Sequence, residues 1–295
     1  MTDNNVEQFL QSLTGSKQAS AHTVATYKNC LMLAEQFADA QKKTLLDWQT
    51  VQVQQFAANC HKQKLSPRTI ALHLSALRAF YRYAVKQHWL GDNPAVGVRA
   101  PKAAKRLPKV IDVDEAQGLL DTMPEDDVLA ARDHAIMELF YSSGLRLSEL
   151  QALTLYDWQA ASETLRVTGK GGKSRDVPVG SKARAAIAAW LQRRREIPSN
   201  NDALFLSRNG AALSARQIRQ RLADWGQKQG LTARLHPHKL RHACATHFLE
   251  GSGDLRALQE LLGHANLSTT QVYTHLDFTQ LAKVYDGAHP RAKKK

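Results

Sequence analysis

No run in this sequence is apolar for long enough to cross a bilayer. Its start, MTDNNVEQFL, has no basic stretch followed by an apolar core, so no secretory leader is expected. Cysteine is scarce. Cys30, Cys60 and Cys244 are odd in number and far apart, which suits a reducing cytoplasm and makes packing their default role. Negative charge is in deficit, with 27 Asp and Glu against 40 Lys and Arg. Two motifs are incomplete. GKGGKS lacks the four residues that a Walker loop needs between its first Gly and Gly-Lys-Ser/Thr, which excludes a P-loop triphosphatase. HKLRH puts His238 and His242 four apart, as zinc ligands on a helix would be. However, Lys239 stands where a zinc protease needs Glu, and Arg241 would repel a cation, so no metal is expected.

What is present is a chain of 295 residues, 43% hydrophobic, long enough for two ordinary domains with real cores. The net charge of +13 is spread along the chain rather than confined to a tail. Such a broad cationic surface points to a polyanion, of which nucleic acid is the commonest. A basic membrane-surface protein is the competing reading, but it lacks an apolar anchor.

The periodicity is mainly helical. Val6, Phe9, Leu10 and Leu13 make a short amphipathic helix. A second helix is expected from about His22 to Ala40, with Tyr27, Leu31, Ala34 and Phe37 on one face. A third runs from about Thr50 to Gln63. The fourth starts clearly, with Ser66 as cap and Pro67 in its first turn, and buries Ile70, Leu74, Leu77, Tyr81 and Ala84. Its other faces carry Arg68, Arg78, Arg82 and Lys86, candidates to meet a phosphate backbone. Residues 91–110, with two glycines, three prolines and several cations, read as a basic interdomain linker that could lie along DNA as a strap. The expected division is residues 1–90, 91–110 and 111–295.

Asp112 and Glu115 open the second domain with a capping-box-like pair, and a long helix follows from about Asp126 to Ser143. In GLRLSEL, Arg146 sits in the turn before a helix that Ser148 can cap, with Glu149 in its first turn. TLRVTGKGGKSRDVPV alternates as a β-hairpin with Lys170 near its tip, suited to carrying a lysine into a DNA-side cleft. SKARAAIAAWLQRRRE is helical and ALFLS reads as a short strand. Ser214 caps another helix bearing Arg216 and Arg219, two further DNA-binding candidates.

Residues 236–275 organise the whole. Pro237 suits a first helical turn, and His238 and Arg241 share one face. Gly251 and Gly253 are expected to end that helix, Asp254 to cap the next, and Gly263 to place His264 at a sharp turn. Tyr273 follows on a short helix. Arg offers a fork for two phosphate oxygens, His can move a proton near neutral pH, and Tyr can be a covalent nucleophile. Together these four form a candidate site for phosphate chemistry; singly, each reads as a surface residue of a basic bundle.

With these residues in hand, the chain resembles the tyrosine recombinases, the phage-integrase-like family. That family's motifs are Arg, a hairpin Lys, His-x-x-Arg, a His in a Leu-Gly-His turn, and Tyr, matched in order by Arg146, Lys170, His238, Arg241, His264 and Tyr273. The compact length and the ending VYDGAHPRAKKK look most like the Xer recombinases. Cys244 departs from the bulkier apolar residue expected there, which touches packing behind Arg241. The resemblance implies a mainly α protein. A helical-bundle core-binding domain and an α-rich catalytic domain with a small antiparallel β-sheet would clamp DNA.

It also implies a cytoplasmic site-specific recombinase that cleaves and rejoins double-stranded DNA through a 3′-phosphotyrosine on Tyr273, with neither ATP nor metal. Arg146 and Arg241 would clamp the nonbridging oxygens, His238 would act as general base and Lys170 as general acid. His264 would touch the phosphate or position Tyr273, and Glu149 would orient its neighbours. The implied partners are a related, XerD-like recombinase in a tetrameric synapse that resolves chromosome dimers, and a DNA-translocase regulator. The C-terminal stripe of Phe278, Leu281, Val284 and Tyr285 is expected to be an interaction helix, docked on its own domain or on a neighbour. Type IB topoisomerase-like relaxation, or DNA binding without catalysis, are the alternatives.

Overall fold

A computed structural model describes residues 4–15, 19–102, 111–122, 127–169, 172–231, 234–263 and 284–292. The chain divides into two compact units, Met1–Leu107 and Pro108–Lys295, each with its own core.

The first unit packs α1 (Asn4–Gly15), α2 (Ala21–Asp39), α3 (Thr50–Lys62) and α4 (Pro67–Lys86). Side-chain caps set two of the starts. Ser20 accepts the Thr23 N–H, and Ser66 accepts the Thr69 N–H with Pro67 in the first turn. The α4 stripe of Ile70, Leu74, Leu77, Phe80, Tyr81 and Ala84 is fully buried. On α2 the innermost residues are Cys30, Leu31, Ala34 and Ala38, while Tyr27 and Phe37 are only half-buried. The described half of the proposed linker differs from a strap. Ala95 and Val98 are buried in the first core, and Arg78 donates from Nε to the Ala95 carbonyl (3.2 Å) and from Nη2 to the Val98 carbonyl (2.6 Å). Asn93 donates back to the Arg78 carbonyl. The turn-forming residues therefore fold the chain onto α4 rather than extend it, and Arg78 serves as their anchor.

The second unit holds α5 (Val113–Asp121), α6 (Val128–Ser142), α7 (Leu147–Ala152), α8 (Ser181–Arg194), α9 (Ala215–Lys228), α10 (Pro237–Ser252) and α11 (Leu255–Leu262). An antiparallel sheet joins β1 (Trp158–Gln159), β2 (Thr164–Thr168) and β3 (Ser174–Pro178) in that order. Its register pairs Leu165 with Val177 and Val167 with Arg175. The central helix is α6, buried from Ala130 to Ser142 except at His134, and packed on α8 and α10. Arg132, Asp133 and Glu138 go inside with it, each in an ion pair.

Two expectations are corrected. The segment at 203–207 is buried from Leu204 to Ser207 but is no strand: it makes only isolated bridges, Thr154 to Ala203 and Leu206 to Ala212. Gly251 does not end α10, which runs on to Ser252 and stops at left-handed Gly253. A Cβ at Gly251 would lie 2.4 Å from the Ala288 carbonyl oxygen, so this glycine admits the returning C-terminal chain.

Residues 284–288 are helical. Tyr285 is fully buried in its own unit, donating to the Ser142 carbonyl (3.0 Å) and stacking on Phe248 and His289. Phe278 and Leu281, the rest of the expected stripe, lie outside the described residues.

Candidate active site

The site is built on a short α7, set up by Gly144. This glycine has φ 58°, and a Cβ on it would strike Leu262 at 2.8 Å and Cys244 Sγ at 3.2 Å. Only a residue without a side chain fits both the backbone and the space. Arg146 then takes the N-cap position, and its backbone N–H donates to Glu149 Oε2 (2.8 Å). The expected Ser148 cap is thus replaced by the carboxylate three residues on, which lies at the N-terminal end of the helix dipole.

That carboxylate is the hub. Its side chain is 1% exposed and accepts from Arg146 Nη1 (2.7 Å), Arg175 Nη1 (2.9 Å) and Arg175 Nη2 (3.2 Å). Arg241, one turn into α10, reaches within 3.9 Å of it. Arg241 Nη1 donates to the Gly144 carbonyl, and Nη2 donates to that of Leu262 (2.8 Å). The end of α11 completes the set, because Arg146 Nη2 donates to the Gly263 carbonyl (3.1 Å).

Three guanidinium groups thus face one carboxylate among the described residues. Burial alone would raise Glu149, but hydrogen bonds from Arg175 and from the Arg146 backbone, with the Arg175 charge, hold it below the ordinary carboxylate value. Arg241 is pulled down to about 10, first by burial and then by the Arg146 charge; it stays protonated at neutral pH. Crowded cations with an unbalanced charge form an anion site, and paired forks match the oxygens of a phosphate. Cys244 packs directly behind, fully buried, with its thiol pushed up to about 12 by burial.

Of the expected residues, the fold brings together Arg146, Arg241 and Glu149. His238 is exposed on the first turn of α10, which His236 caps by accepting the Lys239 N–H. The His236 and His238 rings lie 6.4 Å apart. Lys170, His264 and Tyr273 lie outside the described residues. Arg68, Arg82, Lys86, Arg216 and Arg219 are exposed. The sequence reading passed over Arg175. A signal for it existed: it has the inward parity of Val177 and Val179, where a charged side chain needs a buried partner.

Residues 109–280 match the phage integrase family, and residues 6–88 match the phage integrase N-terminal SAM-like domain. Tyrosine recombinase XerC of Shewanella amazonensis (strain ATCC BAA-1098 / SB2B) is 51% identical over 293 residues, covering 98% of this chain and 97% of the relative. Tyrosine recombinase XerC of Escherichia coli O127:H6 (strain E2348/69 / EPEC) is 50% identical over 299 residues, covering 100% and 99%. Among solved structures, XerH site-specific recombinase bound to a palindromic difH substrate superposes with a TM-score of 0.69 at 24% identity, covering 95% of this chain and 84% of that one.

Proposed function

The chain belongs to the phage integrase family of tyrosine recombinases and is a site-specific DNA recombinase; we propose that the Glu149-centred arginine cluster is where it holds the scissile phosphate. The observation that carries this reading is the charge imbalance: Arg146, Arg175 and Arg241 around one buried carboxylate. Phosphate oxygens would take over donors that Arg146 and Arg241 now spend on the Gly263, Gly144 and Leu262 carbonyls.

In the proposed step, the phenol oxygen of Tyr273 attacks phosphorus and the 5′-oxygen leaves, giving a 3′-phosphotyrosine. The tyrosine proton goes to His238, and Lys170 gives one to the leaving oxygen. Arg146 and Arg241 stabilise the charge of the five-coordinate state, where one lost donor costs about 3 kcal/mol of activation free energy. His264 bonds the phosphate or positions Tyr273. The bond energy stays in the phosphotyrosine, so rejoining needs no nucleotide.

We further propose action with a related, XerD-like recombinase in a four-protein synapse that resolves chromosome dimers in the cytoplasm, with a DNA translocase as regulator. Support comes from the recombinases among the relatives and from the basic residues on each unit: Arg68, Arg82 and Lys86 on α4, and Arg216 and Arg219 on α9. Covalent trapping on nicked DNA carrying a candidate site tests the chemistry. Tyr273→Phe should abolish attachment and leave noncovalent binding nearly intact; persistent attachment would refute the assignment. A 5′-bridging sulfur should rescue Lys170→Ala, and equal damage on both substrates would make Lys170 a binding residue.

A further inference from the structure

Arg175 stands outside the family motif, yet its side chain joins three separate stretches of the second unit. It projects from β3 opposite Val167, on the side that faces the core. Nη1 and Nη2 grip the two oxygens of Glu149, and Nε donates to the Leu261 carbonyl (3.3 Å). The last three carbonyls at the end of α11 are each claimed by a different arginine: Leu261 by Arg175, Leu262 by Arg241 and Gly263 by Arg146. Gly263 sits in the left-handed region at φ 62°, and a Cβ there would come within 2.8 Å of Arg175 Cζ. The turn is therefore closed over the guanidinium itself. Each nitrogen of Arg175 is engaged by the protein, and both arms of its fork are held by one carboxylate. That is the arrangement of a brace rather than of a ligand waiting for an anion.

We propose that Arg175 is a positioning residue for DNA cleavage, fixing the Glu149 carboxylate and the Leu261–Gly263 turn so that Arg146 and Arg241 meet the phosphate in one geometry. The proposal rests on reading Arg146 and Arg241 as phosphate ligands. Without Arg175, Glu149 would have only those two arginines to pair with, and it would draw them away from the anion. The turn leading into His264 would lose its tie to the hairpin that carries Lys170. Lysine cannot substitute, because one ammonium does not reproduce the fork that meets both Glu149 oxygens and the Leu261 carbonyl.

The test uses full-length protein and a nicked site, measuring the single-turnover rate of covalent attachment at saturating DNA and, separately, half-site affinity. Arg175→Ala should slow attachment by about 10- to 100-fold while changing affinity less than about 3-fold. Arg175→Lys should recover little of the loss. In a Glu149→Gln background, removing Arg175 should cost less than about 3-fold more, because the pair is already broken. An unchanged saturated rate with weakened affinity would make Arg175 a DNA contact and overturn the proposal. So would equal losses in both backgrounds. Should the alanine variant fail to fold, Arg175→Lys carries the same cycle. Arg241→Ala is the control for the underlying reading: if it cleaves normally, the phosphate assignment fails, whatever Arg175 does.

Discussion

Two buried carboxylates in the second unit, Glu138 on α6 and Glu149 on α7, are held by arginine in opposite ways. Glu138, with a side chain 0% exposed, pairs with Arg291, and Arg291 also reaches Asp121 (2.8 Å). Lys182 reaches Asp121 as well (3.9 Å), so two cations there answer two carboxylates. At Glu149 three guanidiniums answer one. The first set closes on itself and ties the C-terminal chain to the core. The second keeps surplus positive charge, with Arg146 still 35% exposed. Burial and ion pairing therefore do not separate a structural cluster from a site; the balance of charge does.

The largest effect should come from breaking the balanced set. Arg291→Ala leaves Glu138 buried with only His134 beside it (3.5 Å) among the described residues, and should cost about 3–5 kcal/mol in denaturant unfolding of the full-length protein. A loss below about 1 kcal/mol would mean the C-terminal chain contributes little to the fold.

Next is a pH effect confined to the same region. His289 donates from Nε2 to the Tyr141 carbonyl (3.1 Å) and accepts the Arg291 N–H at Nδ1 (3.1 Å), so the ring is neutral. It is packed on the Tyr141 and Tyr285 rings, near His247 and Arg291. Burial first, then the His247 and Arg291 charges, lower it from 6.5 to about 3, against the Tyr141 hydrogen bond. The unfolded chain binds a proton below about 6.5 that the folded chain refuses until about 3, so stability is full above that window and falls as pH drops through it. By pH 5 the loss should be about 2 kcal/mol, and His289→Gln should flatten that limb, leaving a residual slope from His73 and His247. An identical slope in wild type and variant would refute a buried neutral His289.

The smallest effects belong to the exposed cations. Arg68, Arg82 and Lys86 lie along one face of α4, and neutralising any that contacts a phosphate should lower the salt slope of half-site binding by about 0.9. The saturated cleavage rate should not change.

What the sequence made legible was local. Ser66-Pro67, Ser214, Asp254 and Gly263 each do what their chemistry predicts, because a cap or a left-handed residue acts within one turn. Arg146, Arg241 and Glu149 were legible through a family order of motifs, and the fold gathers them. What escaped depends on distant chain. Arg132, Asp133 and Glu138 carry no local sign of burial, since α9 and the C-terminal chain supply partners for Asp133 and Glu138. Arg78 read as a DNA contact until residues 95 and 98 presented their carbonyls. Gly251 read as a stop signal, though its missing Cβ is used by Ala288.

Surplus guanidinium charge around Glu149 is thus proposed to mark the phosphate site, whereas balanced charge around Glu138 marks structure. One paired measurement tests it: the single-turnover rate of covalent attachment to nicked DNA for Arg241→Ala and for Arg291→Ala, at a temperature where both remain folded. A fall of about 100- to 1000-fold is expected for Arg241→Ala, and a change below about 3-fold for Arg291→Ala. Equal rates for the two variants, or a slower Arg291→Ala, would contradict it.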